Sequence, residues 1–387
     1  MRAVHRRLLL AGAVATCLGA AAALPVLADD SGSLVQVTAA KGTPVPGQYI
    51  VTLKAGASSD AAAKKVNATG VKHFDGVLNG FAARLTDDQL NKLRHDNRVA
   101  AIEQDQVIKA NTTQYSPLPW GLDRIDQRSR TLSKSYYYKS SGSGVNAYII
   151  DSGLDVTHKE FGGRASIAWT AKSFGGDGSD CNGHGTHVAG IIGSKTYGAA
   201  KSVNLRALRV LDCDGSGYVS EVIDAVNWLR THAAKPAVAN MSIGGPKSTA
   251  LNTAVMNLSK SGVFVSVAAG NDNKDACNFS PSSASWVMAV GATTSYDNRA
   301  SFSNWGKCVD INAPGYGIWS TVPGGGAQKY SGTSMATPYV SGVAALYLTT
   351  HRSAGFPEVQ KWLNDNSTHS LKNLRSQPNR LLYKGKL

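Results

Sequence analysis

Apolar side chains recur along this chain with two different periods. Between residues 47 and 109, Gln48 to Lys54 and Gly80 to Leu85 alternate in the manner of strands with one buried face. Ser58 to Ala68 is rich in alanine and reads as a helix. Thr86-Asp87-Asp88-Gln89 has the form of a capping box and opens a second helix through Leu93. Val99 to Ile108 predicts a closing strand. Helices on one face of a small antiparallel sheet follow from this order. A polar junction, Ala110 to Ser116, comes next.

From Val145 the rhythm changes. Short runs rich in β-branched residues predict strands at Val145–Ile150, Val203–Leu211, Val238–Ser242, Val263–Ala269 and Val287–Val290. Helical segments are predicted near His187–Ile192, Glu221–Leu229 and Leu251–Ser259. Apolar strands alternating with helices mean βαβ units around a buried parallel sheet, an α/β fold. Ligands of such folds gather at the carboxyl ends of the strands.

Composition narrows the field. The 387 residues suit two or three domains at about 150 residues each. With 42% hydrophobic and 17% charged residues the chain can bury a core. Arg2, Arg6 and Arg7 precede an apolar stretch from Leu8 to Leu24, and Val26-Leu27-Ala28 offers small residues for cleavage. Residues 1–28 thus read as an export signal, and interruption by Thr16, Cys17 and Gly19 argues against a membrane anchor. Arg6-Arg7 fits either the Sec or the twin-arginine route. No later apolar run reaches 18 residues, so a secreted, extracellular product without an anchor is expected. The net charge of +14 is dispersed: residues 112–387 hold 27 basic and 17 acidic side chains with no five-residue Lys/Arg block. That distribution argues against a nucleic-acid partner, which needs a concentrated basic patch.

The candidate chemistry sits at strand ends and helix starts. Asp151 follows the strand at Val145–Ile150, His184 opens a helix in His184-Gly185-Thr186-His187, and Ser334 enters another in Gly332-Thr333-Ser334-Met335-Ala336. No Glu completes an H-E-x-x-H zinc pattern. A serine hydroxyl needs a base within reach to act as a nucleophile near neutral pH. Histidine is suited to that role, and a buried carboxylate can hold its tautomer. Asn271, leaving the strand at Val263–Ala269, can donate its amide to an oxyanion together with the Ser334 N–H. Without Cys17, which leaves with the signal, Cys181, Cys213, Cys277 and Cys308 remain, and these allow three pairings.

The order Asp, His, Ser and the sequences around these residues resemble the subtilisin-like serine proteases, in particular the proteinase K and aqualysin branch. The resemblance covers residues 47–109 and essentially all of 112–387. It implies a three-layer catalytic domain at 112–387 behind a small α+β, ferredoxin-like inhibitory propeptide at 29–111. By that resemblance Asp151, His184 and Ser334 are the catalytic triad and Asn271 is the oxyanion donor. Gly215-Ser216-Gly217 and Ser242-Ile243-Gly244 would be the edges that pair with substrate backbone. Ala268-Ala269-Gly270 would line a pocket for an apolar P1 side chain. The resemblance further implies the bridges Cys181–Cys213 and Cys277–Cys308. It implies structural calcium held by the carbonyls of Ser285 and Val287 with the Asp310 carboxylate. Asp123, Asp126 and Gln127 match part of a second calcium site. Expected partners are polypeptide substrates and the chain's own propeptide, with a monomeric mature enzyme and no catalytic metal or organic cofactor.

Two other readings start from the same residues. An α/β-hydrolase esterase needs the order Ser, acid, His, which Ser334, Asp365 and His369 supply formally. Asp365 and His369 lie only four residues apart, and the serine motif lacks the second glycine of G-x-S-x-G. A secreted binding module on an inactive enzyme fold would have lost a triad residue, and none is missing.

Overall fold

The computed structural model describes residues 34–74, 76–109, 113–114 and 119–387. The predicted export signal and the junction around residues 110–112, where the boundary between the expected propeptide and catalytic domain falls, lie outside them. In the N-terminal unit, β1 (Pro44–Leu53), β2 (Thr69–His73), β3 (Gly80–Arg84) and β4 (Val99–Lys109) form an antiparallel sheet in the order β4-β1-β3-β2. Helices α1 (Ser59–Lys65) and α2 (Asp87–Arg94) pack on it. The capping box at α2 is formed: Gln89 N–H donates to Thr86 Oγ1 at 3.3 Å, and Thr86 N–H donates to Gln89 Oε1 at 2.8 Å.

Alternation along these strands sends neighbours to opposite faces. Val51, Phe81 and Ala83 join Ala62 and Leu93 in a core between sheet and helices. Ile50 and Ala82 face the other way and pack into a cluster with Val222, Ile223 and Leu251 of the larger unit. One thin sheet is therefore buried on both faces, and residues 34–387 form one compact body.

The larger unit is built on seven parallel strands: β5 (Asn146–Asp151), β6 (Ala165–Thr170), β7 (Asn204–Arg209), β9 (Ala237–Met241), β10 (Phe264–Ala268), β11 (Met288–Thr293) and β12 (Ile311–Pro314). Their order is β12-β11-β10-β9-β5-β7-β6, with every pairing parallel. Between β7 and β9 the chain makes β8 (Ser216–Tyr218), which lies outside this sheet. One face carries α3 (His184–Gly193) and α6 (Thr333–Thr350), the other α4 (Val219–His232) and α5 (Thr249–Lys260). A hairpin of β13 (Ile318–Val322) and β14 (Gly326–Ser331) covers α3. The chain leaves β5 toward β7 on one side and later adds β9 on the other. That reversal opens a crevice at the carboxyl end of β5, where Asp151 sits.

Candidate active site

The site assembles from element ends. Asp151 closes β5 and is 1% exposed. His184 is the first residue of α3, behind Gly183 in the left-handed region at φ 99°. His184 Nδ1 lies 2.6 Å from Asp151 Oδ1, and Ser152 N–H donates to the same oxygen at 2.8 Å. The carboxylate acceptor fixes the tautomer with the proton on Nδ1. Burial opposes charge on His184, but the charge and hydrogen bond of Asp151, with the charge of Asp180, outweigh it and hold its pKa above the ordinary histidine value. His187, one turn on, is pushed the other way to about 3 by burial and stays neutral, its Nε2 against the Gln328 carbonyl.

Asp180 was not singled out by sequence, yet it holds this turn together. Its carboxylate accepts from Ser152 Oγ (2.9 Å), from Asn182 and Gly183 N–H (3.1 and 2.8 Å), and from Thr186 N–H and Oγ1 (2.8 and 2.6 Å). Ser152 Oγ accepts in turn from Gly185 N–H at 2.9 Å. The segments after Asp151 and around His184 are thus tied to one buried anion. The signal was available as an acid four residues before His184, but acids in loops are common.

Ser334 is the second residue of α6 and is 2% exposed. Its hydroxyl donates to the Ser242 carbonyl at 2.9 Å, while Ser242 Oγ donates to the Ser334 carbonyl at 2.8 Å. His184 Nε2 has no hydrogen-bond partner among the described residues. Asn271 accepts through Oδ1 from Thr333 N–H (2.8 Å) and Thr333 Oγ1 (2.9 Å). With the carbonyl end held, Nδ2 is the end oriented to donate elsewhere. Thr333 Oγ1 also accepts from Gly270 N–H at 3.1 Å. Gly270 needs its lack of a side chain: φ is +103°, and a Cβ there would stand 2.3 Å from Asn304 Nδ2.

Ser334, Asn271, Ser242, Ile243, Gly244 and the run Ala268-Ala269-Gly270 line one cavity of about 550 Å³. Lys41, Gly42, Thr43 and Val107 of the N-terminal unit border the same cavity. Gly215 ends a turn held by Asp212, after which β8 pairs antiparallel with β4: Ser216 opposite Lys109, Gly217 opposite Ile108, Tyr218 opposite Val107. The edge expected to take substrate backbone is thus covered by the N-terminal unit. Glu103 and Asp105 of β4 accept from the starts of α5 and α4, at Ser248 Oγ and Ala250 N–H and at Ser220 N–H and Oγ. Carboxylates suit those helix N-termini, where backbone N–H groups lack partners.

Cys181 is bonded to Cys213 and Cys277 to Cys308. The first bridge ties the His184 turn to the turn before β8, and Arg209 Nη2 lies 3.2 Å from Cys181 Sγ. Asp310 is half-buried beside Ser285, Trp286 and Val287 in a second cavity of about 530 Å³. Burial raises its pKa to about 6, though Ala289 N–H donates to it at 2.8 Å. Trp286 has φ of 61°, a left-handed kink between the two carbonyls expected as ligands. Asp123, Asp126 and Gln127 are engaged with protein groups. Both oxygens of Asp123 accept from residues 133 and 134, Asp126 accepts from Tyr137 N–H beside the Lys384 charge, and the Gln127 amide donates to the Ser129 and Thr131 carbonyls. Asp365 pairs with Lys361 on the exposed face of a helix and His369 contacts Ser367, and neither lines this cavity.

Comparison with known proteins agrees with this arrangement of units. Residues 142–381 match the subtilase family model, and residues 48–111 match that of the peptidase inhibitor I9 domain. Over 316 residues the chain is 51% identical to an extracellular serine proteinase of Thermus sp. (strain Rt41A), covering 81% of this chain and 77% of that one. It is 44% identical over 322 residues to proteinase R of Parengyodontium album, covering 81% and 82%. The crystal structure of a cold adapted subtilisin-like serine proteinase matches with a TM-score of 0.68 at 50% identity, covering 70% of this chain and 99% of that one. Among the described residues no helix is long and apolar enough to cross a membrane. A family match over more than half the chain and a relative at 51% identity lead to one conclusion: the chain belongs to the subtilase family of serine proteases and carries an I9 inhibitor domain ahead of its catalytic part.

Proposed function

We propose that the chain is a secreted endopeptidase, made as a self-processing precursor, in which Asp151, His184 and Ser334 are the catalytic triad. The observation that carries this reading is the buried 2.6 Å contact of Asp151 with His184, on the carboxyl end of a strand at the sheet's reversal point. His184 Nε2 takes the proton of the Ser334 hydroxyl, and Oγ bonds to the carbonyl carbon of the substrate. In the resting state that hydroxyl is turned to Ser242, so attack requires it to swing to His184. Negative charge collects on the former carbonyl oxygen and is met by Asn271 Nδ2 and the Ser334 N–H. His184 then protonates the leaving amine. The resulting acyl-enzyme is cleared by water through the same groups.

Substrate backbone pairs with Gly215-Ser216-Gly217 and with Ser242-Ile243-Gly244. The walls Ala268-Ala269-Gly270 favour an apolar P1 side chain, with Asp272 and Lys274 exposed where they border the cavity. The domains are read as 1–28 signal, 29–111 inhibitory propeptide and 112–387 catalytic domain, with self-cleavage between Ala110 and Thr113 and a monomeric mature enzyme. Structural calcium fits the Ser285 and Val287 carbonyls with Asp310. A half-buried carboxylate whose pKa desolvation raises is an oxygen donor suited to a cation. Ser334→Ala tests the reading: the variant should accumulate as uncut precursor, lose labelling by a serine-directed fluorophosphonate and hydrolyse no protein. Retention of a tenth of wild-type activity would remove Ser334 from the mechanism.

A further inference from the structure

Most polar contacts between the N-terminal unit and helices α4 and α5 are of a kind any helix start offers. Glu103 and Asp105 reach backbone N–H groups and serine hydroxyls there, and further along α4 Gly76 N–H donates to Asn227 Oδ1 at 2.9 Å. Among the described residues, one contact joins charge to charge. Lys72 Nζ of β2 meets Glu221 Oε1 on the first turn of α4, where the Glu221 side chain is 2% exposed and that of Lys72 28%. Ser173 Oγ donates to the same oxygen at 2.5 Å, while Glu221 Oε2 is buried and unpartnered among the described residues. Asp224, one turn further along α4, feels the charges of Lys72, Glu221 and Lys172, and burial leads in raising its pKa. Lys72 thus faces Glu221 and Asp224 across the joint, while Lys172 lies in the larger unit on the same side as these two acids.

We propose that Glu221 and Asp224 form a recognition site on the enzyme for an inhibitory domain that presents a cation at the place of Lys72. The helix-start contacts supply affinity with little discrimination, whereas a desolvated charge pair rejects a partner lacking the matching sign. A domain with a neutral residue there leaves Glu221 buried without its cation, and one with an acid adds repulsion. The inference deepens the propeptide reading and rests on it for the identity of the inhibitor.

The test uses the full-length chain with Ser334→Ala, read by amide hydrogen exchange across residues 69–84, which needs no catalysis. Lys72→Met should speed opening of this segment about 30-fold, the low end for truncating one member of a desolvated pair because Lys72 is part-exposed. Lys72→Arg should stay near the parent rate, Lys72→Glu should exceed Lys72→Met, and Lys72→Glu with Glu221→Lys should recover most of the protection. Parent-like exchange in Lys72→Met, or no recovery in the charge swap, overturns the proposal. If Lys72→Glu does not fold, salt decides: added salt should speed opening of the parent but not of Lys72→Met, and equal salt slopes overturn it. The same substitutions in the Ser334 chain should shorten the lag before activity appears. A chain that shows the exchange pattern but never becomes active would defeat the protease reading and leave the charge lock standing.

Discussion

Replacing Thr333 by Val keeps the shape of the side chain and removes a hydroxyl that serves two neighbours. Asn271 Oδ1 loses its 2.9 Å donor and retains the Thr333 N–H at 2.8 Å, while Gly270 N–H loses its 3.1 Å acceptor. One lost neutral hydrogen bond and one stranded donor together amount to about 2–3 kcal/mol of stability. The catalytic effect is smaller. An oxyanion donor contributes about 3–4 kcal/mol to the transition state, and an amide held by one donor in place of two should forfeit about 1 kcal/mol of that. A 5- to 10-fold fall in kcat is expected, with KM little changed. Steady-state kinetics on a chromogenic peptide amide measure it. The cycle with Asn271→Leu is the sharper assay: once the amide is gone, Thr333→Val should cost almost nothing further in kcat. An equal loss in both backgrounds would show that Thr333 acts on something other than Asn271, and the reasoning would fail.

The raised pKa of His184 should place the acid limb of kcat/KM above the usual histidine value of about 6.5, and Asp180→Asn should move it down; a limb below that value means burial prevails. The same shift contributes stability that is present below about 6.5 and lost as pH rises through the folded value, measurable as a shallower melting profile in His184→Ala. Asp310→Asn should abolish most of the rise in Tm that added calcium gives the parent chain, while leaving kcat within a few-fold. Replacing Cys181 and Cys213 by serine should cost about 3–4 kcal/mol for a loop of this length. It should also lower kcat/KM, since the bridge positions the His184 turn, and melting curves beside peptide kinetics would separate the two effects.

Where a strand is buried on both faces, its apolar run was plain in the sequence. The predicted Val145–Ile150 and Val238–Ser242 are the observed β5 and β9, displaced by a residue. The strands that escaped are those with mixed surroundings. Thr69–His73 reads as polar because it lies at the sheet edge, and Ala165–Thr170 is half-buried along its whole length as the last strand of the large sheet. Asp151, His184, Asn271 and Ser334 could be singled out because chemistry needs those residue types at element ends. Asp180 and Thr333 could not, because their work is holding others, and a polar side chain with five local bonds looks in sequence like any loop acid. The resting partner of the Ser334 hydroxyl, the Ser242 carbonyl, depends on two distant segments meeting and is written in neither.

The N-terminal sheet, with one face in its own core and the other against α4 and α5, divides its residues by the company they keep. Val51, Phe81 and Ala83 share a core with neighbours of the same small unit. Ile50 and Ala82, each one position away, pack with Val222, Ile223 and Leu251 in the subtilase part. Substitutions at the first set can be absorbed locally, while those at the second must be matched by changes more than a hundred residues away. Across relatives, the two sets should therefore drift at different tempos. Exchanging whole I9 domains between enzymes should fail at Ile50 and Ala82 before it fails at Val51 and Phe81.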